Sequence, residues 1–193
     1  GNDCNLGTLG EAWLGSARKA RSALGILVGT GIGGGFVRKG KLWRGAREAA
    51  GEIGHIVMQI EGGAKCGCGN LGCLETLASR TAVENQIRQA VAAGRTTMLT
   101  DLLHGNLEII RSRILRQALE ARDPLVCEVM HRASEILGMA CLTVRHLIDP
   151  GGAGMGRQSQ PPLDEAGEKI ARHRPAGHGK ARPRAEAEQR REP

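Results

Sequence analysis

The chain changes its pattern of apolar and polar positions several times, and each change predicts an element. Leu9, Ala12, Trp13 and Leu14 have mixed helical spacing and predict a helix from residue 8 to about residue 20. Ala23-Leu24-Gly25-Ile26-Leu27-Val28 is a short apolar run of strand type, buried on both faces. A glycine stretch follows, Gly29-Thr30-Gly31-Ile32-Gly33-Gly34-Gly35, and then Phe36-Val37-Arg38 and Leu42-Trp43 around Lys39-Gly40-Lys41, the signature of a β-hairpin. Ile56-Val57-Met58-Gln59-Ile60 predicts another strand, and residues 74–93 a helix closed by Gly94. The strongest helix begins at Asp123, a good N-cap followed by Pro124 at the first helical position. Val126, Val129, Met130, Ala133, Ile136, Leu137, Ala140, Cys141, Val144 and Leu147 then recur every three or four residues as one buried face, ended by Asp149-Pro150. Cys127 and Cys141 read as small residues in or near the core.

Beyond Pro150 the pattern collapses. Residues 151–156 are glycine-rich, and the remainder mixes Arg, Pro, Ala, Glu and His with almost no large apolar side chain. Such a segment cannot bury enough surface to offset its ordering entropy, so 151–193 is expected to be mostly disordered, with at most a weak helix over 163–172.

Composition sharpens this outline. Glycine supplies 29 of 193 residues, about twice its usual share, which marks backbone that turns tightly or approaches a neighbour closely. No apolar run approaches the roughly 20 residues of a membrane span, and no charged-then-apolar leader opens the chain, so a soluble, cytoplasmic protein is expected. The formal charge is +7, but the excess is spread: residues 151–193 carry nine Lys/Arg and six Asp/Glu. With only Trp13, Phe36 and Trp43 as aromatics, a base-stacking nucleic-acid surface is disfavoured.

Three groups of residues carry chemistry. Cys66-x-Cys68-x4-Cys73, with His55 eleven positions before Cys66, offers three thiolates and an imidazole, the donor set of a closed tetrahedral zinc site. A disulfide is the alternative, although Cys66 and Cys68 are too close in sequence for an easy bridge. The glycine stretch contains G-x-G-x-x-G as Gly29, Gly31 and Gly34, but a hairpin follows where a dinucleotide fold needs a helix. It can be a tight turn, or it can present backbone N–H groups and the Thr30 hydroxyl to phosphate oxygens. The third group is acidic: Asp3 between Asn2 and Asn5, Glu52 three residues before His55, and Glu75 two after Cys73. Carboxylates beside amides suit the hydroxyls of a sugar, and one can act as general base; Asp3 can equally cap a helix and Glu75 sit in a first helical turn.

Asn2-Asp3-x-Asn5, the Gly29–35 stretch, Ala50-Gly51-Glu52-Ile53-Gly54-His55, and Cys66-Gly67-Cys68-Gly69-x-x-Gly72-Cys73-Leu74-Glu75, in this order, closely resemble the ROK family of bacterial sugar kinases, glucokinases among them, and sugar-responsive repressors. The resemblance covers about residues 1–150. It implies an α/β fold of the actin-like ATPase, ribonuclease H-like type, here incomplete: residues 1–22 end the first lobe, 23–150 form the second, and 151–193 are a tail. It implies Asp3 as catalytic base, with Asn2, Glu52, His55 and Glu75 on the sugar hydroxyls and His55 shared with a structural zinc held by Cys66, Cys68 and Cys73. Gly29, Thr30, Gly31, Gly33 and Gly34 would cradle ATP, which with Mg²⁺ and a hexose, most readily glucose at its 6-hydroxyl, completes the set of ligands. Homo-oligomers are common among such proteins.

The family pattern also implies an earlier lobe opening with an Asp-x-Gly-Gly-Thr-type motif ahead of Gly1, and a hydrophobic strand with a glycine turn after Asp149-Pro150. Neither is recognisable in this sequence, so the chain is expected to be the later part of a two-lobed protein, inactive by itself, with a shifted reading frame near position 150 as the expected origin of the tail. A repressor of the same family and an inactive remnant are the alternative readings.

Overall fold

The computed structural model describes residues 3–151 together with the backbone of 153–157. The first helix, α1 (Asp3–Trp13), begins and ends earlier than apolar periodicity suggests. The reason is that its buried side is polar: Asn5 and Thr8 face inward, so the stripe that marks most helices is missing. Glu11 stops the helix by accepting hydrogen bonds from the N–H and hydroxyl of Ser16.

Three strands follow, β1 (Ser22–Val28), β2 (Ile32–Arg38) and β3 (Lys41–Leu42). β1 and β2 pair antiparallel with Leu24 opposite Phe36, Ile26 opposite Gly34 and Val28 opposite Ile32. The strand period of two therefore divides the pair cleanly. Leu24, Ile26, Ile32 and Phe36 face the main core, while Gly25 and Gly35 face α1. These two glycines are directly opposite each other, and a Cβ on either would overlap the Thr8 side chain. The sheet is thus pared to backbone where α1 lies on it.

A 3-10 turn (Ile53–His55) and the cysteine segment lead into α2 (Leu74–Ala78) and α3 (Arg80–Ala92). These are two helices where one is expected over 74–93. Ser79 breaks them with an extended ψ of 164°, and its hydroxyl accepts the Ala82 N–H as the N-cap of α3. The expected strand at 56–60 does not form. Met58 and Gln59 both donate to Gly72 O, which pinches the chain after a single bridge between Val57 and Cys73 and leaves Ile60 89% exposed.

Helices α4 (Met98–Leu102), α5 (Ser112–Glu120) and α6 (Pro124–Ile148) complete the core. Asp123 caps α6 as its position before Pro124 requires, accepting the Val126 N–H at 2.9 Å. The same buried carboxylate takes the Thr97 hydroxyl and the Met98 N–H, so one side chain starts α6 and fixes the start of α4. Leu125, Val126, Val129, Ala133, Ile136, Ala140 and Val144 form the buried face of α6. Leu147, expected on that face, is 74% exposed, and Ile148 packs against the core in its place.

After α6 the chain returns to the sheet. Backbone residues of β4 (Ala153–Arg157) pair parallel with β1, giving the order β3-β2-β1-β4. This strand lies in a stretch expected to be disordered. Its glycines carry no strand signal, and pairing with β1 supplies the order that side chains do not announce. The weak helix expected over 163–172 and the rest of the tail lie outside the described residues.

Candidate functional site

The three chemistry-bearing groups meet at β2. Glu75, in the first turn of α2, reaches across to the sheet and accepts the Ile32 N–H at 2.9 Å through Oε2. Its carboxylate fills the space a Cβ at Gly31 would occupy, so the turn of residues 29–31 must lack a side chain at that point. Its other oxygen lies 3.9 Å from Cys66 Sγ, which ties the turn to the cysteine segment. The turn is also anchored from α3: Arg80 N–H donates to Gly29 O and the Thr81 hydroxyl to Thr30 O. A cavity of about 460 Å³ opens here, lined among others by Thr30, Gly31, Lys65, Cys66, Glu75 and Thr81. Sequence patterns did not reveal the part played by α3, although Ser79 as a helix-starting residue was a legible signal.

The cysteine segment brings its ligands together. One donor atom from each of His55, Cys66, Cys68 and Cys73 lies within 4.8 Å of the others, with His55 Nδ1 turned to Cys66 Sγ at 3.5 Å and Cys68 Sγ 3.7 Å from Cys73 Sγ. All four fit one small cation, and the soft thiolate-imidazole set suits a tetrahedral one. No disulfide joins these cysteines. The backbone prepares the cluster: Cys66 N–H bonds Asn70 O, Gly69 N–H bonds Cys66 O, and Leu74 N–H bonds Ile56 O. Gly72 has a φ of +68°, and a Cβ there would overlap Gln59 O. Burial, together with the Cys68 and Cys66 thiols beside it, pushes the Cys73 thiol up to about 12, whereas a hydrogen bond from the Asn70 backbone draws the exposed Cys68 thiol down.

The segments that carry Asp3 and Glu52 meet β2 on its two opposite faces. Cys4 follows Asp3 in α1, and its sulfur occupies the space of the Cβ that Gly33 lacks. Burial, then the negative charges of Glu52 and Asp3, push the Cys4 thiol up. On the opposite face of the strand, Gly34 receives Gly51 O and Ile53. Glu52 is thus carried to β2 by the residues on either side of it, and the 3-10 turn that follows delivers His55 to the cysteine cluster. Asn2 lies outside the described residues. Gly33 and Gly34 stand within β2 rather than in the turn, and what meets them is protein: Cys4 on one face, Gly51 and Ile53 on the other.

The stretch that carries the acid-bearing helix, the glycine turn and the thiolate-imidazole loop lies within residues 1–156, which match the ROK family model. The chain belongs to the ROK family. A glucokinase from Halalkalibacterium halodurans is 36% identical over 149 residues, covering 77% of this chain and 45% of that protein. A xylose repressor from Caldicellulosiruptor bescii is 33% identical over 150 residues, covering 77% of this chain and 37% of the repressor. The crystal structure of a ROK family glucokinase from Streptomyces griseus in complex with glucose and AMPPNP superposes with a TM-score of 0.71 at 28% identity, covering 94% of this chain and 60% of that one. The fold is therefore the α/β, actin-like ATPase type, and this chain spans about half the length of the curated relatives it matches. No helix among the described residues is long and apolar enough to cross a membrane.

Proposed function

We propose that the protein phosphorylates a hexose with ATP and Mg²⁺, glucose at its 6-hydroxyl being the leading substrate, and that this chain supplies most of the sugar contacts and part of the phosphate contacts. The observation that carries the reading is Glu75, whose carboxylate joins the 29–31 turn to the cysteine segment, and so would couple the turn assigned to phosphate to the segment assigned to sugar hydroxyls. Asp3, at the exposed start of α1, is the group assigned to take the proton from the sugar hydroxyl as its oxygen bonds to the γ-phosphorus and the bond to ADP breaks. Asn2, Glu52, His55 and Glu75 are assigned to the remaining hydroxyls. With His55 Nδ1 turned to Cys66, its Nε2 is the atom assigned to sugar. The Gly29–Gly31 turn is assigned to ATP phosphates through the Thr30 and Gly31 N–H groups and the Thr30 hydroxyl, the Gly29 N–H being donated to Gly31 O within the turn. Gly33 and Gly34 are left with a supporting part, because their open faces are filled.

Zinc is the cation the donor set favours, held by His55, Cys66, Cys68 and Cys73. When bound it supplies no step of the reaction; it fixes the loop and the orientation of His55. A cytoplasmic setting goes with the reading, since the reaction consumes ATP. A homodimer or larger oligomer is part of the proposal for the whole protein.

The test is titration calorimetry of this chain with glucose, N-acetylglucosamine and xylose, alongside metal analysis. The expected result is about one equivalent of zinc, heat with glucose, and at least about a tenfold loss of affinity in Asp3→Ala. A chain that binds none of the three sugars overturns the reading. The second reading, a sugar-responsive repressor, is favoured by the similarity to the xylose repressor. Sugar binding by the whole protein without ATP-dependent phosphorylation, and with sugar-dependent release from DNA, would decide for it.

A further inference from the structure

The glycine run of β2 gives more than a turn. We propose that Gly33 is a positioning residue for the sugar site: its missing side chain forms the seat for Cys4, and that seat sets where the first turn of α1 holds Asp3 relative to Glu52. This rests on the sugar-kinase reading and deepens it, because it moves Gly33 from the phosphate cradle to the alignment of the base.

The argument is geometric. In a strand, successive residues point to opposite faces. Gly33 and Gly35 face α1, and Gly34 faces the segment that carries Glu52. A Cβ at Gly33 would overlap Cys4 Sγ; a Cβ at Gly35 would overlap Thr8; a Cβ at Gly34 would come within 2.4 Å of Gly51 O. Two acid-bearing segments thus approach one strand from opposite sides, separated by the thickness of a bare backbone. They do so along the edge of β2 that β3 leaves uncovered, since β3 pairs only with Val37 and Arg38. At the turn end of the same edge, the Ile32 N–H is taken by Glu75.

Gly33 is the member of this set whose neighbour can move. The atom it would strike is the end of a short side chain, whereas Gly34 would strike backbone and Gly35 would meet Thr8 at its Cβ, 3.0 Å away, and Asn5 as well. The Cys4 Cβ is 3.2 Å from the added Cβ, so removing the sulfur relieves most of the conflict. This makes a size-exchange test possible. Gly33→Ala should expel the Cys4 sulfur from its seat and tilt the first turn of α1, while Gly33→Ala combined with Cys4→Ala should restore the packing.

The experiment compares the zinc-loaded chain as wild type, Gly33→Ala, Cys4→Ala and the double variant. Maleimide labelling at Cys4, read peptide by peptide by mass spectrometry, reports the seat; glucose calorimetry reports the alignment; zinc content and far-UV circular dichroism report the fold. The expected result is Cys4 labelling about tenfold faster in Gly33→Ala, glucose affinity lowered about tenfold or more, and affinity recovered in the double variant, with zinc content unchanged. Cys4 labelling equal in wild type and Gly33→Ala overturns the proposal. So does a loss of affinity that Cys4→Ala fails to restore, which is what a Gly33 in direct contact with ligand would give. A wild-type chain that binds no sugar overturns the hexose reading instead, and the labelling comparison then decides the seat by itself.

Discussion

The helical body and the cysteine segment are built by opposite means. In the body, Ile87, Leu99, Leu125 and Val126 are essentially sealed from solvent, and burying such side chains contributes about 1.5–3 kcal/mol each. In the cysteine segment, Val57, Ile60 and Leu71 are exposed, and regular structure is limited to two isolated bridges, Val57 with Cys73 and Lys65 with Leu71. Its order comes from backbone hydrogen bonds and from four donors that converge on one point. A body held by many small contacts survives the loss of any one of them. A segment held around one centre is lost with that centre.

The largest expected effect follows from that contrast. Cys73→Ser removes the most buried ligand and should abolish stoichiometric zinc binding. Lys65, exposed beside Cys66, should then become a fast trypsin site while far-UV circular dichroism hardly changes. A global loss of helix on metal removal would break the comparison, because the body would then depend on the loop. Proton bookkeeping sharpens it. Since burial and neighbouring thiols push Cys73 up to about 12 without a cation, it holds its proton at neutral pH, and zinc must displace that proton on binding. Binding enthalpy should therefore vary with buffer ionisation heat, and affinity should fall as pH falls.

The same contrast explains what could be read in advance. The start of α6 was legible because Asp123 and Pro124 are a local signal, answered by local hydrogen bonds. The metal cluster was legible because ligand type and spacing are written in the chain, and the structure brings those four residues together. What escaped was decided by distant partners. Residues 56–60 are apolar enough to suggest a strand, yet Gly72 O captures two successive N–H groups and stops the ladder. Helix α1 hides its buried face behind Asn5 and Thr8, whose fit depends on glycines in two different strands. What packs against Gly33 and Gly34 was not legible, because a run of glycines does not say what fills its missing side chains. β4 is recruited by β1 and carries almost no apolar pattern of its own.

A smaller effect is expected from the polar anchor of the body. Burial raises the Asp123 carboxyl, but the Val126 and Met98 N–H groups and the Thr97 hydroxyl outweigh it and hold the group below the usual carboxylate range. Folding is then favoured by its ionised form. The contribution is complete above the ordinary carboxylate pKa and is lost as the pH falls through the lower value the group has in the folded protein. Asp123→Ala should cost about 2–4 kcal/mol at neutral pH, from one lost cap and two orphaned donors. It should also flatten the acid limb of a Tm-against-pH curve. Zinc content near neutral pH should not change, which separates this anchor from the cysteine segment. A variant that lost its metal would show the two regions to be one unit.

The smallest effect is expected where the regions join. Ser79 ends α2 and starts α3, and its buried hydroxyl accepts the Ala82 N–H at 3.1 Å. Ser79→Ala removes that cap, at a cost of about 1 kcal/mol. Alanine also favours a helix interior, so the variant asks whether the break belongs to the serine or to its surroundings. The Arg80 N–H, which a continuous helix would return to α2, is bonded at 3.0 Å to Gly29 O in the glycine turn. The Thr81 hydroxyl holds the next carbonyl, at Thr30, at 2.7 Å. Those two bonds keep the break open without the serine, so amide exchange should accelerate at Ala82 and stay slow at Arg80. Fast exchange at both amides would mean that Ser79 holds the glycine turn in place, and the turn would then be only as rigid as one hydroxyl makes it.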